Sequence, residues 1–201
     1  MPEEHDLFEC VKCGHRNKKG AAACARCTWP FSREAWKTTT LRLRRITLDT
    51  GCINAKGRNP DLNILENWAQ TRQIEFQRTD AMLKELKGEH RVQKAFSLPP
   101  QPKLFTLDVS VLGGPAVLAG PDMSVELRQI LFPTASPLTE NQKRDVEHLF
   151  HHVRTGGDLF VTLNPNDFIE HGRQDALRLV GIWVVTPQQA VELLKEAHGW
   201  Q

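Results

Sequence analysis

From position 45 onward, short apolar runs alternate with segments whose apolar residues recur every three or four positions. The runs at 45–49, 74–78, 159–163 and 182–186 have the length of buried strands, and 104–112 sets Phe105, Leu107, Val109 and Val111 on one face of another. Between them, Leu62, Leu65 and Trp68 follow Pro60 at helical spacing and predict a helix over 61–72. Thr79 or Asp80 can cap a helix over 81–87, which Gly88 closes, and a further helix covers 124–131. Residues 97–103 and 113–121 read as loops. The strongest helical signal begins at Thr139, where Thr-x-x-Gln is a capping box. Val146, Leu149, Phe150 and Val153 form the buried stripe of that helix, which runs to about Thr155. Asn141, Asp145, His148 and His152 line another face, read as polar with solvent-exposed histidines. A helix over 173–180 follows, and Pro187 opens a last one that ends near His198. Strands separated by helices of this length predict an α/β fold: three layers, α/β/α, around a mostly parallel central sheet. Functional groups of such sheets gather beyond the carboxyl ends of the strands.

Residues 1–36 lack this alternation and hold four of the five cysteines. Cys10-x2-Cys13 and Cys24-x2-Cys27 are two knuckles of the kind that close a tetrahedral thiolate site around zinc. Four protein ligands leave no open position, so such a zinc is structural. A module this small holds no core unaided, and metal binding would supply its folding free energy. The fifth cysteine, Cys52, reads as a packed thiol. The chain thus divides into a four-cysteine module (1–36), a basic connector (37–45) and an α/β domain (46–201).

Composition narrows the setting. Apolar residues make up 40% of the chain and charged residues 25%, which suits a packed core. Net charge is only +2, yet Arg16, Lys18, Lys19, Arg26, Arg33, Lys37, Arg42, Arg44 and Arg45 crowd the first 45 positions. That clustering fits either an anionic partner or a solvated face. No run of 18 apolar residues is present, so no membrane span is expected. The polar, acidic start carries no secretory signal, and cysteines outside an oxidising compartment point to metal rather than disulfides. The expected compartment is the cytoplasm.

The stretch FECVKCGHRNKKGAAACARC resembles two related zinc families. Gly14 and Asn17 match a bacterial zinc-ribbon pattern. Phe8, two before the first cysteine, and Asn17 match the Ran-binding-protein type of zinc finger, whose members bind single-stranded RNA or ubiquitin. The Thr-Phe pair of the ubiquitin binders is absent, since Gly14 and His15 stand there. The RNA side of the resemblance makes Arg16, Lys18, Lys19 and Arg26 candidates for phosphate contact.

Four places in the second unit, in order, resemble the PIN-domain family of metal-dependent ribonucleases. They are ITLDTGCIN with Asp49, TDAMLKEL with Glu85, LTENQKRDVEHL with Asp145, and LFVTLNPNDF, while the closing GIWVVTPQQAVELL is also PIN-like. At the fourth place the family usually reads Thr-x-Asp. Here Thr162 is followed by Asn164, and Asp167 is the nearest acid. The resemblance implies an endoribonuclease with Asp49, Glu85, Asp145, Asn164 and Asp167 as its acidic site. Asp49 and Asp145 would hold Mg²⁺ or Mn²⁺, and Thr162, Asn141 and Arg144 would contact substrate. It implies RNA as partner, and it leaves open an antitoxin-like inhibitor protein and a homodimer.

Two other functions fit parts of the pattern. Asn164 in place of an acid suits a catalytically degenerate PIN-like regulator that binds RNA or protein. A phosphatase of the haloacid-dehalogenase type would share an Asp at the end of strand one, but its second Asp falls on Gly51.

Overall fold

The structure, a computed structural model, describes residues 7–37, 45–55, 57–79, 82, 86, 93 and 121–200. Glu85, the helix expected over 81–87, the strand over 104–112 and most of the basic connector lie outside the described residues.

The chain is a mixed α/β protein. The cysteine segment forms the antiparallel pair β1 (Leu7–Glu9) and β2 (Arg16–Lys18), then the short helix α1 (Arg33–Lys37). The second unit runs β3 (Arg45–Leu48), α2 (Thr50–Ala55), α3 (Pro60–Gln70), β4 (Glu75–Gln77), α4 (Pro121–Leu131), α5 (Glu140–Arg154), β5 (Leu159–Val161), α6 (Pro165–Phe168), α7 (Arg173–Leu179), β6 (Val184–Val185) and α8 (Pro187–His198). Four strands make one parallel sheet in the order β4-β3-β5-β6. Thr47 stands beside Gln77 on one side and Phe160 on the other, and Val161 pairs with Val185.

Side-chain alternation along the strands sorts the core into two clusters. Ile46, Leu48, Leu159, Val161 and Val185 meet α3 through Leu62, Leu65 and Trp68, and α8 through Leu193 and Leu194. Phe160 and Val184 face the other way, onto Leu127 and Leu131 of α4, Val146, Leu149 and Val153 of α5, and Leu177 of α7. Helices on both faces of a parallel sheet are consistent with three α/β/α layers.

The helix ends follow local chemistry. Thr139 and Gln142 complete the expected capping box, each bonding the other's backbone N–H. Thr186 and Gln189 do the same for α8, with Pro187 in the first turn and Gly199 left-handed at its end (φ 66°). Asn59 caps α3 by accepting from the Leu62 N–H at 3.0 Å.

One expectation is overturned. His148 and His152 do not face solvent; they are 0% and 2% exposed and pack against the sheet. Helical period placed them correctly on one stripe with Asp145, but the strands opposite that stripe carry threonines, which accept a histidine layer where an apolar face would reject it. Helices α2 and α6 were not read from the sequence. They are too short for periodicity to register.

Candidate functional site

The four thiols converge. Cys10 Sγ lies 3.7 Å from Cys27 Sγ, Cys13 Sγ lies 3.6 Å from Cys24 Sγ, and all four sulfurs fall within 4.8 Å of one another. A zinc–sulfur bond of about 2.3 Å sets the edge of a tetrahedral thiolate site at about 3.8 Å. The cluster therefore has room for a metal such as zinc, and the sulfurs are far too distant for disulfides. Buried Asn17 laces the knuckles. Its amide donates to the His15 carbonyl and to Cys24 Sγ, and its oxygen accepts from the Ala25 N–H. Burial works against ionisation of Cys24, but the N–H groups of Cys27 and Arg26 and the Asn17 amide outweigh it, bringing that thiol down to about 6. Burial drives Cys10 and Cys27 the other way, so those thiols keep their protons until a cation replaces them.

This segment packs into the body of the protein. The Trp29 indole N–H donates to the Gly181 carbonyl at 2.9 Å, the Trp183 indole to Pro30 at 3.0 Å and the Trp36 indole to Leu193 at 3.2 Å. Lys12, between the first two cysteines, reaches across to the Gly156 and Gly157 carbonyls (2.9 and 2.6 Å) and to Asp158 Oδ1 (3.0 Å). Those carbonyls lie just past the end of α5 and its C-cap Thr155, where a cation suits the helix dipole. Burial pushes the Lys12 ammonium down and Asp158 opposes the shift. Asp158 also accepts from the Arg45 N–H at 2.9 Å, which ties the knuckle to the start of β3. None of Lys12, Trp29 and Trp36 stood out in the sequence, because their partners are mostly backbone carbonyls. Arg16, Lys18, Lys19 and Arg26 are exposed, with Arg16 near Glu9 at 3.4 Å.

The acidic residues lie at the opposite end of the sheet, beyond the carboxyl ends of β3 and β5. Asp49 is 8% exposed. Its Oδ1 accepts from the Thr50 N–H at 2.7 Å and its Oδ2 from the Thr162 hydroxyl at 2.8 Å. That hydroxyl accepts in turn from the Asn164 N–H at 2.9 Å, and the Asn164 amide donates to Asp167 Oδ2 at 2.7 Å. Asp49, Thr162, Asn164 and Asp167 thus form one hydrogen-bonded chain. Leu163 and Cys52 flank it. Cys52 is buried with its thiol on the Val161 carbonyl, and burial, with the Asp49 charge nearby, raises its pKa.

Asp145 reaches this end through α5. His152 Nδ1 lies 2.8 Å from the Thr47 hydroxyl and His148 Nδ1 lies 2.7 Å from the Thr79 hydroxyl. Thr47 and Asp49 share a face of β3, and Thr79 follows Gln77, the partner of Thr47, by two residues. From His152 to His148, α5 therefore climbs toward the carboxyl ends of the strands. Asp145, half-buried, stands nearly one turn further up, and Arg144 (half-buried) and Asn141 (exposed) lie at the same end. Among the described residues, Asp49, Asp145 and Asp167 do not close into a three-carboxylate cluster of the kind the cysteines make.

His152 is set apart by its surroundings. Burial pushes its imidazole down to about 3, the Lys12 charge adds to the shift and Asp158 opposes it. A base with a lowered folded pKa stabilises the fold above its unfolded value, near 6.5, and that stability is lost as pH falls toward 3. Over that window the wild type should lose about 1.4 kcal/mol per pH unit more than His152→Asn, the slope of one proton. Urea melts of both chains at intervals from pH 7 to pH 4 read this, and parallel slopes would count against it.

Comparison of the chain with protein-family models, curated proteins and solved structures gives no match. Among the described residues no helix is long and apolar enough to cross a membrane.

Proposed function

We propose that the chain is a PIN-like, metal-dependent endoribonuclease with a structural zinc knuckle. The observation that carries the reading is the bond between Asp49 and Thr162 at the carboxyl ends of adjacent parallel strands, with Asp145 brought to the same end by α5. Asp49 and Asp145 are the ligands for Mg²⁺ or Mn²⁺, and Glu85 is the further acid implied by the resemblance. The bound cation supplies charge stabilisation at the scissile phosphate and lowers the pKa of the attacking water. Thr162 fixes the Asp49 carboxylate, with its other oxygen held by the Thr50 N–H. Arg144 and Asn141 sit where phosphate oxygens would enter, at the amino end of α5, whose dipole favours anions. Water adds to phosphorus as the RNA oxygen leaves, and the products carry one new phosphate terminus and one hydroxyl. The zinc knuckle lies away from this edge, so Arg16, Lys18 and Lys19 would hold RNA outside the reacting segment. Cleavage of single-stranded RNA with Mg²⁺ or Mn²⁺, abolished by chelation and by Asp49→Asn, is the test.

Asn164 supports a second reading, a regulator that binds RNA without cutting it. Its amide is committed to Asp167, so this strand end offers one charge where the family has more. Asn164→Asp would place two carboxylates at hydrogen-bond separation. Like charges at about 4 Å repel by about 4 kcal/mol at an effective dielectric near 20. The variant should therefore lose thermal stability without divalent metal and regain it on adding Mg²⁺, with tighter Mn²⁺ binding than wild type. Melting curves at matched ionic strength decide it, and a variant indifferent to Mg²⁺ would count against a metal position at this strand end.

A further inference from the structure

Beside its apolar stripe, α5 meets the sheet through a second, polar stripe where simple packing asks for leucine and valine. Thr47, Gln77, Thr79, His148 and His152 are all buried there, none more than 2% exposed. Buried polar groups are costly unless paired, and apolar side chains of similar volume would hold the helix at lower cost. What apolar packing does not provide is a fixed height along the helix axis. The two hydroxyl–imidazole bonds do. Four residues of α5 rise about 6 Å and two residues of strand about 6.6 Å, so the His152–Thr47 and His148–Thr79 bonds repeat in step along helix and strands. The Thr79 hydroxyl also accepts from the Met82 N–H at 3.1 Å, so the oxygen that meets His148 Nδ1 is itself held in place.

We propose that His148 is a positioning residue of the acidic edge: its bond to Thr79 sets the height at which α5 carries Asp145 at the carboxyl ends of the strands. This rests on the nuclease reading above. His148 lies three residues from Asp145, less than one turn, whereas His152 sits nearly two turns away beside the Lys12 contact at the end of the helix. Loss of the upper bond frees the amino half of α5 to settle along the sheet. The metal-binding carboxylate then moves while the apolar stripe of Val146, Leu149 and Val153 keeps the helix docked.

The test is Mn²⁺ titration of the full chain by calorimetry, with thermal melts alongside. His148→Leu and Thr79→Val should each weaken Mn²⁺ binding about tenfold, the usual effect of losing a group that orients a ligand. The double variant should be no worse than either single one. His148→Asn, whose side-chain amide can bond the Thr79 hydroxyl from the place of Nδ1, should recover most of the loss even where its melting temperature does not recover. Turnover should fall with little change in the KM for RNA. Thr79→Val removes one hydroxyl at nearly constant volume, so it keeps the question open to experiment if His148→Leu fails to fold. Wild-type affinity in both variants, whatever their melting temperatures, overturns the positioning role. So does an affinity that follows stability through all variants, His148→Asn included. A wild-type chain whose Mn²⁺ binding is untouched by Asp49→Asn overturns the nuclease reading, and this role with it.

Discussion

Asp49→Asn is expected to lower Mg²⁺-dependent RNA cleavage by at least about 100-fold while the chain stays folded. The carboxylate bridges two strand ends, accepting from the Thr50 N–H and the Thr162 hydroxyl. Asparagine can keep both links: its oxygen still accepts from Thr50, and its amide can donate to the Thr162 oxygen. The Thr162 oxygen can still accept from the Asn164 N–H, so the links to Asn164 and Asp167 persist; the charge is removed and the buried Thr162 proton must turn to another acceptor. A hard cation loses its anionic ligand, while the lower repulsion within the acidic edge offsets the lost Thr162 bond, so stability should change little. Single-turnover cleavage of a labelled RNA, with circular dichroism on the same samples, gives both readouts. Undiminished cleavage by a folded Asp49→Asn, or by thoroughly chelated wild type, would falsify the mechanism. RNA binding without cleavage in the wild type moves the assignment to the regulator. Binding through the knuckle should persist in the variant, because Arg16, Lys18 and Lys19 are exposed on a segment docked at the other end of the sheet.

What the sequence makes legible here follows from locality. The capping box at Thr139, the start of the last helix at Pro187 and the stripe through Val146, Leu149 and Val153 are written within a few residues, and the structure has them where the pattern put them, with Phe150 of that stripe only half-buried. Asp49 at the end of a strand is legible for the same reason: the apolar run stops there. The four cysteines are legible because knuckle spacing fixes which atoms can meet. The burial of His148 and His152 is not, since a helical stripe of Asn, Asp and His looks the same whether it faces water or threonines. Only the register of β3 with β4, which brings Thr47 and Thr79 under that stripe, decides it. The docking of the cysteine segment is hidden for a related reason. Its seam consists largely of indole N–H groups and one ammonium on backbone carbonyls, and a carbonyl has no sequence signature. Asn164 is visible as a departure from the pattern that its strand end resembles, but its bond to Asp167 is a matter of the turn between β5 and α6.

That seam gives the largest expected stability effect. Removing metal from the cysteine cluster should unfold far more than residues 7–37. A structural zinc contributes roughly 10–16 kcal/mol in knuckle peptides, as much as the whole stability of an ordinary domain, about 5–15 kcal/mol. Cys10, Cys24, Trp29, Phe31 and Trp36 share one core with β3, α3 and α8. Without the knuckle, that core loses its outer layer, Asp158 loses Lys12, the Gly181 and Leu193 carbonyls lose their indole donors, and the Trp183 indole loses the Pro30 carbonyl it donates to. One zinc per chain is expected by elemental analysis of protein purified without added metal. Cys24→Ser, or a strong chelator, should then lower the melting temperature by more than about 10 °C, since each kcal/mol is worth about 2–4 °C in a chain of this size. Tryptophan fluorescence should shift to the red in the same experiment, because Trp29, Trp36 and Trp183, all at most 3% exposed, sit on the seam. An appendage on a linker would behave otherwise. Chelation would strip its zinc, leave the melting temperature within about 2 °C and leave the Trp183 environment unchanged; that result would separate the knuckle from the fold. The docked arrangement also links the two ends of the molecule. Lys12 holds the carbonyls at the end of α5, and α5 carries Asp145, so metal loss at the knuckle should weaken Mn²⁺ binding at the acidic edge even under conditions where the chain remains folded.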